Sequence, residues 1–202
     1  MARRTDPERV ARKREQITVE AARLFSAQGY ERTSVADIAR ATGVSQASIF
    51  YYFTDKAALF RAIFERDLPM VEALVATHSE SDEPVIAILN MVSELAADAA
   101  DPNASGMVVE LLRRVDHDPE LIVVVARTAE VVSAGLADLV RRGISNGEID
   151  GRLDPAGTAA WLQAIVDATY LHARPGYSPV QELRRTVLRY LLPSGTKREI
   201  DD

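Results

Sequence analysis

The sequence predicts an all-helical protein with about nine helices, and three observations support this fold class. Apolar residues recur at the three- and four-residue spacing of an amphipathic helix through most of the chain. The part of the chain after residue 66 contains no segment that is typical of a β-strand. Hydrophobic residues make up 47% of the 202 residues, which is enough to bury a core in one domain or in two small ones.

The first predicted helix spans Pro7 to Gln28, and Gly29 follows it in the position of a C-terminal cap. Its apolar stripe consists of Ile17, Ala21, Leu24 and Phe25. Basic residues crowd its start, where the helix dipole disfavours cations. They are Arg3, Arg4, Arg9, Arg12, Lys13 and Arg14. A DNA backbone or minor groove would explain them, and so would a solvated chain end.

Residues 33–56 show the layout of a helix-turn-helix. Ser34 and Asp37 have the spacing of a capping box and mark the start of a first helix. Gly43 stands where this helix must end and the chain must turn, because a residue without a Cβ adopts positive φ at no steric cost. Ser45 can then cap a second helix. In a helix-turn-helix the second helix lies in the DNA major groove, so the sequence predicts a DNA-binding element here.

The residues of the second helix divide between packing and DNA contact. Gln46 can pair with adenine, and Ser48 can donate or accept a hydrogen bond at a base edge. Tyr51 and Tyr52 carry hydroxyls that can reach phosphates. Phe50 has two open alternatives, a thymine methyl group or the protein core. Packing against the first predicted helix is assigned to Val35, Ile38, Ala39, Val44, Ile49 and Phe53.

The distribution of charge agrees with a DNA partner at one end of the chain. The net charge is −6 overall. Residues 1–66 carry 12 basic and 8 acidic residues, a net charge of +4, whereas the remainder carries 12 and 22, a net charge of −10. A basic first third on an acidic body is expected when only that end meets phosphate. An ordinary solvated surface would give the same asymmetry.

The run from Ile17 to Phe64 resembles the N-terminal DNA-binding domain of the TetR family of bacterial transcriptional regulators. The shared features are, in order, A-x-x-L-F-x-x-x-G-Y, T-S-V-x-D-I-A, G-V-S and an aromatic-Y-Y-F-x-x-K-x-x-L-F run. The resemblance implies a DNA-binding domain at residues 1–66 and a helical ligand-binding and dimerisation domain at residues 67–202. It implies DNA contacts by Thr33, Ser34, Ser45, Gln46, Ala47, Ser48, Tyr51, Tyr52 and Lys56. Many family members have tyrosine in place of Phe50, so a hydroxyl contact at that position is excluded here.

Two apolar helices near the end of the chain predict a dimer interface. The segment from Pro155 to Leu171 is apolar nearly all round, so it should be buried on more than one face. Val180 to Leu192 has more than one apolar stripe as well. Two such helices from each of two chains would make a four-helix bundle, the usual dimer interface of the family. The residues assigned to it are Leu162, Val166, Leu183, Val187 and Leu191. The alternative is that one chain buries both helices by itself.

A small-molecule effector would bind in the second domain, because ligand cavities between helices are apolar with a few polar groups. The candidate pocket residues are Met91, Leu95, Met107, Glu110, Leu111, Trp161, Ile165, Thr169 and Tyr170. Each of them is also compatible with a plain core position.

Other chemistry has no support in the sequence. The chain has no cysteine, and its three histidines, His78, His117 and His172, lack metal-ligand spacing. Nucleotide-binding and serine-hydrolase motifs do not occur. We therefore expect no metal, no cofactor and no enzymatic activity. No apolar run approaches the length of a membrane span, and no apolar segment follows the basic start of the chain, so we expect a cytoplasmic protein that does not bind membranes.

The resulting hypothesis is a regulator, repressing by default, that binds a palindromic double-stranded operator as a homodimer. Half-sites should lie about one DNA turn apart or a multiple of it. A small molecule in the second domain would release the DNA by shifting the population of conformations. Two alternatives stay open: a DNA-binding regulator without a small-molecule ligand, and a helical protein-interaction module.

Overall fold

The computed structural model describes residues 6–101, 103–172 and 176–193, and every regular element in them is helical. This confirms the all-helical fold class. Short 3-10 turns occur at Ala97–Ala100 and Val115–His117. The ten α-helices of the described residues are α1 (Pro7–Gln28), α2 (Val35–Thr42), α3 (Gln46–Tyr52), α4 (Lys56–Glu65), α5 (Asp67–Ser79), α6 (Pro84–Leu95), α7 (Ala104–Arg114), α8 (Pro119–Ser145), α9 (Pro155–Leu171) and α10 (Val180–Leu191).

Side-chain caps and two glycines set the helix ends in the first third of the chain. The capping box at the start of α2 is complete, since Ser34 and Asp37 each accept from the backbone N–H of the other. The Ser45 hydroxyl caps α3 by accepting from the Ser48 N–H at 3.1 Å. Gly29 and Gly43 end α1 and α2 with φ values of 86° and 68°, where a side chain would be strained.

Contacts within the chain divide it into two compact units, which we call unit 1 and unit 2. Unit 1 contains residues 6–67 and 103–125, so it includes α1 to α4, α7 and the start of α8. Unit 2 contains the described residues of 68–101 and 126–193, with α5, α6, most of α8, α9 and α10. Residues 103–125 therefore lie with the helix-turn-helix, although the sequence-based boundary at residue 66 assigned them to the second domain.

Unit 1 has an aromatic core. Phe25, Tyr30 and Phe60 contact one another with ring centroids 5.2 to 5.4 Å apart. Phe64 adds a fourth ring, 5.3 Å from Phe60. The predicted packing residues of the helix-turn-helix join this core. Ile38, Ala39, Ile49 and Phe53 are buried in it, and Val35 and Val44 pack at its edge.

Unit 2 has an aliphatic core between α6, α8, α9 and α10. Met91 of α6 and Leu136 of α8 are completely buried in it. The five residues that the sequence analysis assigned to a dimer interface also lie in this core, with at most 4% of their surface exposed: Leu162, Val166, Leu183, Val187 and Leu191. Their own chain already covers these side chains, so little of their surface is left for a partner.

Candidate nucleic-acid interface

Helix α3 separates its buried and exposed residues sharply. Ile49 and the residue after the helix, Phe53, are at most 4% exposed and anchor it to the core of unit 1. The side chains of residues 46, 47, 50 and 51 are exposed. These positions share one face of a helix, because residues four apart lie above one another. The face carries Gln46, Ala47, Phe50 and Tyr51, and we call it the reading face.

Phe50 lies on the reading face and not in the core, since half of its surface is exposed. An exposed phenylalanine on a short helix is unusual, because burying such a side chain would be favourable by about 1.5–3 kcal/mol. This exposure removes the core alternative for Phe50. The apolar contact with a partner stays a prediction.

The two tyrosines at the end of α3 have different environments. Tyr51 is 69% exposed, whereas Tyr52 is half-buried against the core of unit 1. Their rings meet edge to face with centroids 5.0 Å apart, so Tyr52 supports Tyr51 from the side. This arrangement leaves the Tyr51 ring accessible on the reading face.

Arg14 holds the end of α3 in place. Its Nη1 donates to the backbone carbonyl oxygen of Tyr52 at 2.7 Å, and its guanidinium lies 4.5 Å from the centre of the Phe53 ring. A cation at the C-terminal end of a helix is favourable because it meets unpaired carbonyl oxygens and the negative end of the dipole. The sequence analysis missed this role. The available signal was spacing, since Arg14 precedes the buried Ile17 by three residues on the same side of α1.

Three more basic residues, Arg9, Arg12 and Lys13, lie near the exposed start of α1. Arg12 pairs with Glu8 at 3.2 Å, and Lys13 donates to the side chain of Gln16 at 2.8 Å. Arg9 is exposed. The earlier candidates Arg3 and Arg4 lie outside the residues that the structure describes.

The start of α2 presents one exposed and one buried candidate. Ser34 is exposed, and its hydroxyl donates to Asp37 at 2.6 Å. Hydrogen bonds from the Ser34 side chain and backbone lower the pKa of the Asp37 carboxyl below its ordinary value. The Thr33 side chain is only 1% exposed, and its hydroxyl donates to the Gly29 carbonyl oxygen at 2.8 Å. The Thr33 side chain therefore stabilises the turn after α1 and is not part of the exposed surface.

Lys56 is half-buried and fixes the same turn. Its Nζ donates to the carbonyl oxygens of Tyr30 and Thr33 at 2.9 and 3.1 Å, and it lies 4.1 Å from the centre of the Tyr30 ring. Burial lowers the pKa of this ammonium group below its ordinary value. An ammonium group has three donors, so two of them are already used within the chain.

The nine predicted pocket residues do not belong to one unit. Met107, Glu110 and Leu111 lie in unit 1, and the other six lie in unit 2. Glu110 is buried, and its carboxylate accepts from the backbone N–H of Tyr30 at 2.9 Å and from Arg113 at 2.7 Å. Contacts within unit 1 therefore explain the position of Glu110.

Within unit 2, the remaining candidates differ in exposure. Met91 is completely buried, and Leu95, Ile165 and Tyr170 pack at the edge of the aliphatic core. The Thr169 hydroxyl donates to the Val166 carbonyl oxygen. Trp161 is 53% exposed on α9, so it lies on a surface.

The part of the chain that the structure describes contains neither a cluster of metal ligands nor a membrane-spanning helix. No group of three or more potential ligands among its histidine, aspartate and glutamate side chains is placed to hold a metal ion. None of the described helices combines the length and the apolar character that crossing a membrane requires.

Two family models match the chain. The model described as bacterial regulatory proteins of the tetR family matches residues 17–63. The model described as the C-terminal part of BetI-type transcriptional repressors matches residues 86–192, which is more than half of the chain. The first range contains the helix-turn-helix and the second contains most of unit 2.

Whole-chain relatives agree with these matches. The HTH-type transcriptional repressor Rv1474c of Mycobacterium tuberculosis is 26% identical over 170 residues, which cover 84% of this chain and 87% of the relative. The HTH-type transcriptional regulator TtgR of Pseudomonas putida is 28% identical over 177 residues, 82% of this chain and 83% of the relative. The same fold occurs in the crystal structure of the transcriptional regulator FadR from Bacillus subtilis, solved in complex with stearoyl-CoA. The TM-score is 0.72 at 23% identity, and the match covers 90% of this chain and 98% of FadR.

Proposed function

The chain belongs to the TetR family of bacterial regulatory proteins, and from this premise we propose a repressor that binds a palindromic operator as a homodimer and is released by a small molecule. It is a DNA-binding transcriptional regulator, and its relatives are regulators and not enzymes. Since its partner is operator DNA, we place it in the cytoplasm.

The observation that carries this proposal is the reading face of α3. Four neighbouring side chains on a seven-residue helix are exposed, although two of them are aromatic, while the opposite side of the helix is anchored in the core. A partner that covers this face would bury the exposed aromatic surface. A major groove admits a helix and offers thymine methyl groups to Phe50 and Ala47. Gln46 can pair with adenine through both its amide oxygen and its amide nitrogen.

Phosphate contacts would surround these base contacts. Ser34 and Ser45 are exposed at the starts of the two helices, and the Tyr51 hydroxyl is at the end of α3. Such contacts orient a protein on DNA without reading sequence. Ser48 and Tyr52 are half-buried next to them. For Lys56 we expect a smaller role than the sequence implies, because its ammonium group already holds two carbonyl oxygens.

We infer that the dimer forms through the exposed side of α9. Alanines recur there at four-residue spacing, at positions 156, 160, 164 and 168. A row of small residues four apart lets a second helix approach closely. Trp161 and Leu171 lie exposed on the same helix and would supply the apolar surface for this contact. A homodimer would place two reading faces on the two halves of a palindrome.

For the effector, the support comes from the family and from one relative. FadR of Bacillus subtilis was solved in complex with stearoyl-CoA. The aliphatic core of unit 2 is the apolar part of this chain that a ligand could enter. We propose that a ligand bound there shifts the population away from the DNA-competent state.

A gel-shift titration on the DNA upstream of the protein's own gene tests the proposal. We expect sequence-specific binding that weakens as salt rises. Gln46→Ala should lower the affinity for the operator by about 1–3 kcal/mol and leave binding to unrelated DNA unchanged. Asn146→Ala removes an exposed amide side chain from unit 2 and serves as the matched control. Equal binding to every sequence, or no binding at low salt, would contradict the proposal.

A further inference from the structure

A cleft in unit 1 is not used by the proposed function. It has a volume of about 280 Å³ and lies between the turn after α1 and the C-terminal half of α7. Its lining residues are Gln28, Gly29, Tyr30, Glu31, Arg32, Glu110, Arg113, Arg114 and His117. Three of these nine residues are arginines, so the cleft has the composition of an anion site.

Arg114 is the most deeply placed of the three arginines. Its guanidinium lies 3.6 Å from the centre of the Tyr30 ring, and its Nη1 donates to Glu31 at 3.2 Å. Its Nε is buried and has no hydrogen-bond partner among the described atoms. This Nε has almost no accessible surface, so the donors that Arg114 can offer to a ligand are those of its two terminal nitrogens.

Arg32 and Arg113 lie at the exposed rim of the cleft. Arg32 donates from Nε to the Gln28 carbonyl oxygen at 2.6 Å, and Arg113 donates from Nη1 to Glu110 at 2.7 Å. Both guanidinium groups are exposed to solvent. Each group carries five N–H donors, more than its contact uses, so both can offer further donors to a ligand.

The acidic lining residues do not cancel this positive charge. Glu110 is held by the backbone N–H of Tyr30 and by Arg113, and Glu31 is held by Arg114. Three guanidinium groups face two carboxylates, and the imidazole of His117 adds another potential donor.

We propose that this cleft binds a small molecule through a phosphate group. A phosphate can accept from several guanidinium groups at once, and arginine is the residue that suits such paired hydrogen bonds. The volume equals that of about nine water molecules, which leaves room for a small organic body beside the phosphate. The source is inorganic phosphate or a small phosphate monoester, and the site lies on the DNA-binding unit, apart from the effector region proposed in unit 2.

The experiment is a titration of the full-length protein, free of DNA, followed by amide chemical shifts in ¹⁵N-correlated NMR spectra. Inorganic phosphate is one arm and glycerol 3-phosphate is the other, with sodium chloride holding the ionic strength constant. We expect saturable shifts at the backbone amides of residues 29–32 and 113–117 in at least one arm. Tighter binding of glycerol 3-phosphate identifies a monoester as the ligand class, and equal binding identifies free phosphate. Shifts that rise linearly without saturation, or that chloride alone reproduces, overturn the proposal.

Variants of the three arginines test the residues of the cleft. Arg113→Gln and Arg32→Gln should each weaken phosphate binding about tenfold, because each removes charge-assisted hydrogen bonds. Arg114→Lys keeps the charge and loses the planar donor group, so it should weaken binding as well. Arg141→Gln, an exposed arginine of unit 2 that pairs with Asp138, is the matched control and should have no effect. Unchanged binding in all three cleft variants overturns the assignment.

A DNA phosphate is the competing occupant, and the same spectra separate it from a small molecule. A 20-base-pair duplex should leave the shifts of the amides of residues 113–117 unchanged, since these residues lie outside the proposed DNA contacts. The cleft is a DNA contact, and the proposal fails, if the duplex shifts these amides, phosphate does not, and Arg113→Gln weakens binding of the duplex to the protein. Because the phosphate titration contains no DNA, its outcome is independent of the operator experiment.

Discussion

The two units of this protein are stabilised by different chemistry. Among the described residues, six buried side chains are polar or charged, and five of them lie in unit 1. These five are Thr18, Thr33, Thr42, Glu110 and Asp118. In unit 2 the corresponding residue is Thr158, within a core of aliphatic side chains. Unit 1 thus combines an aromatic core with fully buried polar side chains, whereas the fully buried side chains of unit 2 are almost entirely apolar.

This difference suits the two tasks. Hydrogen bonds and ion pairs depend on direction, so they fix the positions of α1 to α4 and α7 in unit 1, as a surface that reads DNA requires. Apolar contacts have no direction, and aliphatic cores accept changes that preserve volume and pattern. A core of this kind in unit 2 is compatible with rearrangement around a ligand. Four predictions test this comparison, from the largest expected effect to the smallest.

The largest effect is expected from Leu162→Ala in unit 2. This side chain is completely buried, so its truncation should lower the free energy of unfolding by about 2–5 kcal/mol. Trp161→Ala on the exposed side of the same helix should weaken the dimer with a smaller effect on the unfolding of unit 2. Chemical denaturation and sedimentation equilibrium measure the two quantities. If Leu162→Ala changes only the dimer equilibrium, the result supports the assignment of Leu162 to the dimer interface.

In unit 1, the corresponding test is Asp118→Ala. Asp118 accepts from Arg61 Nη1 through both carboxylate oxygens, at 2.9 and 3.1 Å, and from the backbone N–H of Leu121. Breaking a buried ion pair costs about 3–5 kcal/mol, and Arg61 would keep its second partner, Glu120. We therefore expect a loss of about 2–3 kcal/mol in the free energy of unfolding, measured by denaturation.

Glu120→Ala is the matched control for Asp118→Ala. Glu120 binds the same guanidinium at 2.9 Å, but its side chain is 77% exposed. Exposed ion pairs contribute about 0–1 kcal/mol, so this variant should be nearly neutral. If the two substitutions lower the free energy of unfolding equally, burial of the Asp118 ion pair does not add to the stability of unit 1, and our inference is contradicted.

The third prediction concerns the close approach of α7 to α1. A Cβ at Gly106 would lie 2.6 Å from the backbone oxygen of Ser26 and 2.4 Å from its hydroxyl oxygen. Gly106→Ala should therefore separate the two helices and cost about 1–3 kcal/mol. Gly151→Ala is the control, because a Cβ there meets no atom within 4 Å and φ is not in the left-handed region. A thermal melt that is equally unaffected in both variants would mean that the α1–α7 contact is not tightly packed.

Local signals in the sequence were sufficient to predict the helix-turn-helix. A cap, a glycine and a short apolar pattern fix the ends and the inner face of α2 and α3, so Ser34, Gly43 and Ser45 located both helices. The burial of Ile49 and Phe53 followed from the same pattern. The DNA contacts themselves stay a prediction.

Long-range contacts could not be predicted in this way. Glu110 has its backbone partner 80 residues away, at Tyr30, and no local pattern indicates such a contact. The apolar pattern of α9 shows that Leu162 is buried, but it does not show whether its own chain or a partner covers it. For that reason the sequence placed Glu110 in an effector pocket and Leu162 at a dimer interface.

The smallest effect is expected from the acid sensitivity of unit 2. The Arg152 side chain and backbone N–H donate to Asp150 and lower the pKa of its carboxyl from 3.8 to about 2. Because the pKa is lower in the folded state, this pair stabilises the fold fully above about pH 4 and loses that contribution as pH falls toward 2. Asp150→Asn should therefore flatten the decline of the melting temperature between pH 4 and pH 2. Arg152→Gln, which removes the other member of the pair, should have the same effect. Parallel melting curves for the variants and the wild type would show that this pair does not contribute to the acid sensitivity of unit 2.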